Sequence, residues 1–127
     1  MNAVAVIIGG AVGAILRYWL SELPYRYLGP YFPYGTLLVN LLGAFVIGFL
    51  WGISEIITIR PFARSMIFIG MIGSFTTFST FMLETFNLLR EGEFQYALLN
   101  FLVSNFLGLA FVFLGYLLSV AFLAAWR

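Results

Sequence analysis

The stretch "SMIFIGMIGSFTTFSTFML" (65–83) carries no charge and is about as long as a helix that crosses the hydrocarbon core of a membrane. Its centre, "GSFTTFST" (73–80), places five hydroxyl side chains and two phenylalanines after a glycine. Glycine weakens a helix, threonine is β-branched, and serine and threonine hydroxyls compete for backbone partners. The stretch therefore predicts a membrane-spanning helix that is broken near 73–77.

The rest of the chain has the composition of an integral membrane protein. Of its 127 residues, 63% are hydrophobic and 9% are charged, which is more apolar surface than a soluble domain of this size can bury. Further charge-free runs cover 1–16, 27–54 and 94–126. The sequence thus predicts an all-α membrane protein with a single four-helix transmembrane domain, 1–127. The predicted helices lie at about 3–22, 34–57, 64–89 and 95–124.

The residue types present exclude several kinds of chemistry. The chain has no cysteine and no histidine, so zinc, haem, iron–sulfur and thiol sites are not expected, and neither are histidine-based nucleophilic triads. A net charge of +1 on scattered arginines gives no basis for nucleic-acid binding.

The arginines are balanced across the membrane. With four spans, both termini and the second loop lie on one side. Arg60, Arg64 and Arg127 fall on that side, and Arg17, Arg26 and Arg90 fall on the other. Orientation normally follows an excess of Lys and Arg in cytoplasmic loops, and neither side has one. Either a small count balances by chance, or the chain inserts both ways and pairs with its inverted copy.

Polar residues inside the spans fall on helix faces. Asn40 begins a four-residue spacing of small residues in the second span, and Ser104 lies on one side of the fourth. The members of these two faces are Asn40, Ala44, Gly48 and Gly52, and Asn100, Ser104, Gly108, Gly115 and Ser119, with Asn105 beside them. Small residues allow close helix packing, and amides and hydroxyls can bond across helices. The alternative is that these faces line water.

Two charged residues in or near the spans also have a possible functional role. Glu84 lies inside the third span, where an acid is a functional candidate by default. Arg17 either reaches the membrane interface or gives a vestibule a positive potential for anions.

A broken helix would give the third span two kinds of ion-binding group. Freed backbone carbonyls can bind a cation, as in transporters with discontinuous helices. Phe75, Phe78 and Phe81 recur every three residues, and the positive edges of aromatic rings can solvate a small anion. The alternative is that these rings only pack.

The motifs "GMIGSFTTFSTFMLET" (70–85), "GAILRY" (13–18) and "NLLGAFVIG" (40–48) resemble the small fluoride channels of the CrcB/Fluc family. The resemblance extends in order over all four spans. It implies an antiparallel, dual-topology homodimer with two fluoride pores and a structural sodium ion at the dimer centre.

The resemblance also implies roles for individual residues. Phe78 and Phe81 would face fluoride, and Asn40 would donate a hydrogen bond in the pore. Backbone carbonyls of Gly73 and Thr76 would bind sodium. The polar track would continue through Thr80 and Ser104, while Glu84 and Arg17 occupy polar positions of the family with less defined roles. Gly108 stands where another small or hydroxylic residue is expected on the fourth helix, so the polar track would be shorter or filled by water there.

The implied function is passive, non-enzymatic export of fluoride across a prokaryotic cell membrane, by a multi-pass protein whose partners are fluoride, lipid and a second copy of itself. One alternative is a small proton-coupled multidrug exporter, which would need a carboxylate in the middle of the first helix, and residues 3–16 contain none. The other is a non-transporting membrane assembly subunit, which leaves the hydroxyl-rich stretch without a purpose.

Overall fold

The computed structural model describes residues 2–126, and within this range it contains helices and connections but no strand. The helices are α1 (Asn2–Glu22), α2 (Tyr25–Leu28), α3 (Tyr34–Ser54), α4 (Pro61–Arg64), a π-helix (Ser65–Ile72), α5 (Gly73–Phe75), α6 (Phe78–Arg90) and α7 (Phe94–Ala125). Arg127, which contributes to the predicted charge balance, lies outside the described residues.

The prediction of an all-α chain with four membrane-spanning helices is confirmed. The described range contains four helical stretches long and apolar enough to cross a membrane: Asn2–Leu28, Tyr34–Ser54, Pro61–Arg90 and Phe94–Ala125. The second span ends at Ser54, before the expected residue 57. Its last turn is closed by the Ser54 hydroxyl, which donates to the Trp51 carbonyl at 2.7 Å.

The third span changes its backbone geometry along its length. It begins with α4, widens into the π-helix and returns to an α-helical turn in α5. Thr76 and Thr77 then have extended dihedral angles, with φ and ψ of −84° and 158° and of −147° and 120°. α6 starts directly afterwards at Phe78. The helical hydrogen-bond ladder is therefore interrupted at the two threonines in the middle of the hydroxyl-rich stretch.

Close glycine contacts show that the first and third spans run parallel. A Cβ at Gly9 would collide with the Met66 carbonyl, and one at Gly13 would collide with the Met71 carbonyl. Both chain segments thus advance in the same direction. Gly35, at the start of α3, packs against the Ser21 carbonyl near the end of α1, so consecutive spans run in opposite directions.

The second and fourth spans are also packed through small residues. A Cβ at Gly48 would collide with the Val112 carbonyl, one at Gly52 with the Ser119 hydroxyl, and one at Gly115 with the Phe45 carbonyl. Most of the small residues predicted to line these two helices therefore serve close packing, which lets the backbones approach within the membrane.

The alternating directions place the arginines at both ends of the bundle. Arg60 and Arg64 lie at the end where α1 begins, while Arg17, Arg26 and Arg90 lie towards the opposite end. The Arg64 guanidinium stands over the ring of Trp51 at 5.5 Å, an arrangement suited to the membrane interface. Among the described residues, neither end has a large excess of basic charge.

Candidate functional site

The interruption in the third span is held by an amide from the second. Asn40 Nδ2 donates to the Thr77 carbonyl at 3.0 Å, and Asn40 Oδ1 accepts from the Thr77 N–H at 2.8 Å. One side chain thus satisfies both backbone polar groups of a residue that has left the helix. Broken helices at membrane depth require such cover, because an unsatisfied backbone group is costly in hydrocarbon.

The hydroxyls of the stretch also bond within the protein. Thr77 Oγ1 accepts from the Thr80 N–H at 3.3 Å and donates to Thr80 Oγ1 at 3.0 Å, so that Thr77 caps the start of α6. Thr76 Oγ1 donates to the Ile72 carbonyl at 3.1 Å. Ser74 Oγ donates to the Gly10 carbonyl of α1 at 2.9 Å. These bonds explain how four of the five hydroxyls are accommodated in a membrane span.

The same bonds engage two backbone N–H groups that would donate to backbone carbonyls in a regular helix. In an α-helix the Gly73 carbonyl would accept from the Thr77 N–H, and the Thr76 carbonyl from the Thr80 N–H. The first donor is taken by Asn40 Oδ1 and the second by Thr77 Oγ1. The two carbonyls that the family resemblance implies for sodium are therefore those whose helical donors are engaged elsewhere.

The two phenylalanines of the predicted aromatic pair are neighbours in different environments. Their ring centroids lie 6.1 Å apart in an edge-to-face arrangement. Phe81 is 5% exposed and stacks on Phe101 of α7 at 6.4 Å, whereas Phe78 is 74% exposed. The three-residue spacing grouped Phe75 with these two rings, and this grouping is wrong. Phe75 precedes the interruption and lines a separate groove beside α1 and α3.

Four of the predicted pathway residues line one cavity of about 370 Å³. Asn40 comes from α3, Phe78 and Phe81 from α6, and Ser104 from α7. Thr76 and Thr77 of the interruption line the same cavity. Its walls contain no charged side chain. The cavity combines amide, hydroxyl and aromatic groups, which can bind an ion only weakly.

Thr80 and Arg17 lie elsewhere. They line a second cavity of about 270 Å³, together with Thr36 and Thr77. Thr77 lines both cavities, so they adjoin at the interruption. The predicted pathway residues therefore form two groups, one in each cavity.

Glu84 is hydrogen-bonded to Thr36, which lines the second cavity. The Thr36 hydroxyl donates to Glu84 Oε1 at 2.7 Å, while Glu84 Oε2 is buried without a hydrogen-bond partner in residues 2–126. Thr36 was not predicted from the sequence. It lies four residues before Asn40, so extending the four-residue spacing of α3 by one turn towards the N-terminus would have found it.

A second buried network was also missed in part. Asn100 is 1% exposed, and its Nδ2 donates to Thr85 Oγ1 at 2.9 Å. Thr85 Oγ1 in turn donates to the Phe81 carbonyl at 2.8 Å. The Ser104 hydroxyl donates to Asn100 Oδ1 at 3.4 Å. The network joins α6 to α7 next to the first cavity, and it links Phe81 to Ser104.

Known proteins share the sequence of this chain over most of its length. The family model described as "CrcB-like protein, Camphor Resistance (CrcB)" matches residues 4–116. The chain belongs to the CrcB family. This confirms the resemblance carried by the motifs at 13–18, 40–48 and 70–85.

Curated members of the CrcB family are similar over most of their length. A fluoride-specific ion channel FluC from Parabacteroides distasonis is 49% identical over 114 residues, which cover 90% of this chain and 89% of the relative. The FluC channel of Aquifex aeolicus is 47% identical over 116 residues, covering 91% of this chain and 94% of the relative. The FluC channel of Shewanella frigidimarina is 46% identical over 114 residues, covering 90% of this chain and 92% of the relative. The chain is thus a multi-pass membrane protein of a family with bacterial channel members.

Proposed function

We propose that this protein is a passive, fluoride-selective ion channel of the prokaryotic cell membrane. The observation that carries the proposal is the cavity beside the interruption, where Asn40, Phe78, Phe81 and Ser104 meet without a charged side chain. The FluC channels that share 46–49% of its sequence support the same function.

In this proposal, fluoride exchanges its water shell for neutral donors and ring edges. Asn40 uses one amide N–H for Thr77, and its second N–H is free to point at an anion. Phe78 and Phe81 offer the positive edges of their rings. Binding by such groups is weak enough for the ion to leave again, as conduction requires.

The second cavity continues the path towards one end of the membrane. Arg17 at its wall supplies a positive potential that attracts anions, and the Thr80 hydroxyl supplies a further donor. Glu84 holds the Thr36 hydroxyl by its hydrogen bond and thereby orients the wall of this cavity.

We infer that the channel is an antiparallel homodimer with two pores. Phe78 leaves most of its ring uncovered at membrane depth, and a second copy would cover it. Because both ends of the bundle carry arginines, neither orientation is strongly favoured, which suits a chain that inserts both ways.

A structural sodium ion at the dimer centre fits the residues present. The carbonyls of Gly73 and Thr76 would hold it, because their helical donors are engaged by Asn40 and Thr77. Neutral carbonyl oxygens are suitable ligands for a hard monovalent cation. When bound, the ion supplies a fixed positive charge between the two copies. One chain offers only two such carbonyls, so the site requires the second copy.

Export of this kind needs neither covalent chemistry nor an energy source. Hydrogen fluoride crosses membranes and dissociates in the cytoplasm, and the trapped anion leaves through the channel down its own gradient. Fluoride efflux from liposomes that contain only this protein tests the proposal. A channel continues to release fluoride after a protonophore abolishes the proton gradient. A multidrug exporter or an assembly subunit releases no fluoride above the rate of protein-free liposomes.

A further inference from the structure

The polar side of α7 is interrupted one turn after Ser104. Gly108 occupies the next position on that side, and a Cβ there would meet no atom within 4 Å among the described residues. Unlike Gly48 and Gly115, Gly108 is therefore not needed for close packing within one chain. It leaves an open space in which no hydroxyl follows Ser104.

Asn105 lies beside this gap and lines the same cavity as Ser104, Phe78 and Phe81. Its Nδ2 donates to the Phe101 carbonyl at 2.7 Å, which is the only side-chain hydrogen bond of Asn105 within residues 2–126. The ring of Phe101 stacks on that of Phe81. Asn105 is thus anchored next to the aromatic pair through its own helix.

The anchoring bond fixes which atom of the amide is which. An amide oxygen cannot accept from a carbonyl, so the nitrogen must face Phe101. The nitrogen has a second N–H, and Oδ1 also lacks a side-chain partner within the described range. Polar groups left without partners are costly in the membrane, so an exposed amide at this depth requires a polar neighbour.

We propose that Asn105 is a fluoride-binding residue of the pore, whose free amide N–H replaces the hydroxyl that is missing at position 108. The inference rests on the proposed fluoride channel. An amide N–H is a neutral donor, so it suits the weak binding of the rest of the cavity. The position of Asn105 in the cavity, rather than among the outward Phe106 and Leu109 of the same helix, distinguishes it from a lipid-facing residue.

The test is fluoride efflux from liposomes containing the wild type, Asn105→Leu, and the double variant Asn105→Leu/Gly108→Ser. Loss of a hydrogen bond to an ion lowers efflux about tenfold or more in Asn105→Leu. Because the space at position 108 is open, the added serine hydroxyl restores efflux in the double variant. Asn87→Leu is the matched control, since Asn87 lies in α6 and lines neither cavity, and it conducts like the wild type.

Each outcome decides between binding and other roles. Efflux that falls in Asn105→Leu and returns with Gly108→Ser supports the inference. Wild-type efflux in Asn105→Leu overturns it, and so does a loss that Gly108→Ser does not restore, because an interface contact of Asn105 would behave in that way. Size-exclusion chromatography of each variant reports whether the dimer persists. Absence of fluoride efflux in the wild type itself would instead overturn the proposed function.

Discussion

Asn40 and Thr77 form a two-point hydrogen-bond clasp between the second and third spans, at 3.0 Å and 2.8 Å. The clasp satisfies the backbone of Thr77 where the helical ladder is interrupted. It also engages the Thr77 N–H, which in a regular helix would donate to the Gly73 carbonyl. The side chain that lines the candidate pore therefore also stabilises the interruption. In the proposed channel, this one amide couples conduction, helix geometry and the sodium site.

Asn40→Asp will reduce both fluoride efflux and stability. A carboxylate can accept from the Thr77 N–H but cannot donate to its carbonyl, and leaving a buried carbonyl unsatisfied costs about 1–3 kcal/mol. The negative charge also repels an anion in a narrow pore. Efflux and the melting temperature of the purified protein are to be compared with those of Asn87→Asp, which carries the same change outside both cavities. Normal efflux with an unchanged melting temperature would remove Asn40 from both roles.

Phe78→Ile and Phe81→Ile will each cut fluoride efflux severely but will differ in stability. Isoleucine keeps apolar bulk and lacks the polarised ring edge. Phe81 is buried against Phe101, so its replacement costs about 1–3 kcal/mol, whereas the exposed Phe78 costs less within one chain. Phe106→Ile, which alters an exposed ring outside both cavities, serves as the control. If both variants conduct like the wild type, the rings only pack.

Thr77→Val will weaken the response to sodium. Valine removes the hydroxyl that takes the Thr80 N–H, so this donor can return to the Thr76 carbonyl, and the lost helix cap costs about 1 kcal/mol. Sodium that binds the folded dimer raises its melting temperature. The melting temperature should therefore rise less on addition of sodium in Thr77→Val than in the wild type. Thr58→Val, which makes the same change in the second loop, is the control and should respond like the wild type. Equal rises in melting temperature in all three proteins would show that the Thr77 hydroxyl does not free the Thr76 carbonyl for sodium. A sodium current would show that the ion is not structural.

Added positive charge will separate the two orientations. Lysines placed after Arg127 should direct the termini to the cytoplasm, and lysines placed beside Arg26 should direct them away from it. Each variant alone should lose fluoride efflux because it lacks an inverted partner, and co-expression should restore it. Full activity from either strongly biased variant alone would mean that a parallel assembly, or a single chain, suffices.

Much of the fold could be predicted because the membrane constrains sequence directly. Runs without charge indicated the four spans, and the hydroxyl-rich stretch indicated where helical geometry would fail. The length of a run does not specify how a backbone is wound, so the π-helix before the interruption was not predicted. Its close contacts with Gly9 and Gly13 depend on the packing of two spans rather than on either alone.

The candidate site was predictable to a smaller extent. Residue type and family resemblance indicated Asn40, Phe78, Phe81 and Ser104, which do line one cavity. They did not indicate that the Asn40 amide is partly engaged by Thr77, or that Thr36 bonds to Glu84 across 48 positions of the chain. Such pairings depend on the mutual placement of spans, and periodicity within one helix carries no information about that placement.

Selective fluoride conduction can be measured with a fluoride electrode and a chloride electrode that read the same suspension of liposomes containing the purified protein. With potassium made permeable to balance charge, we expect rapid fluoride release and chloride release no faster than from protein-free liposomes. Fluoride release at the rate of protein-free liposomes, or equal release of the two anions, would show that the protein is not a fluoride-selective channel.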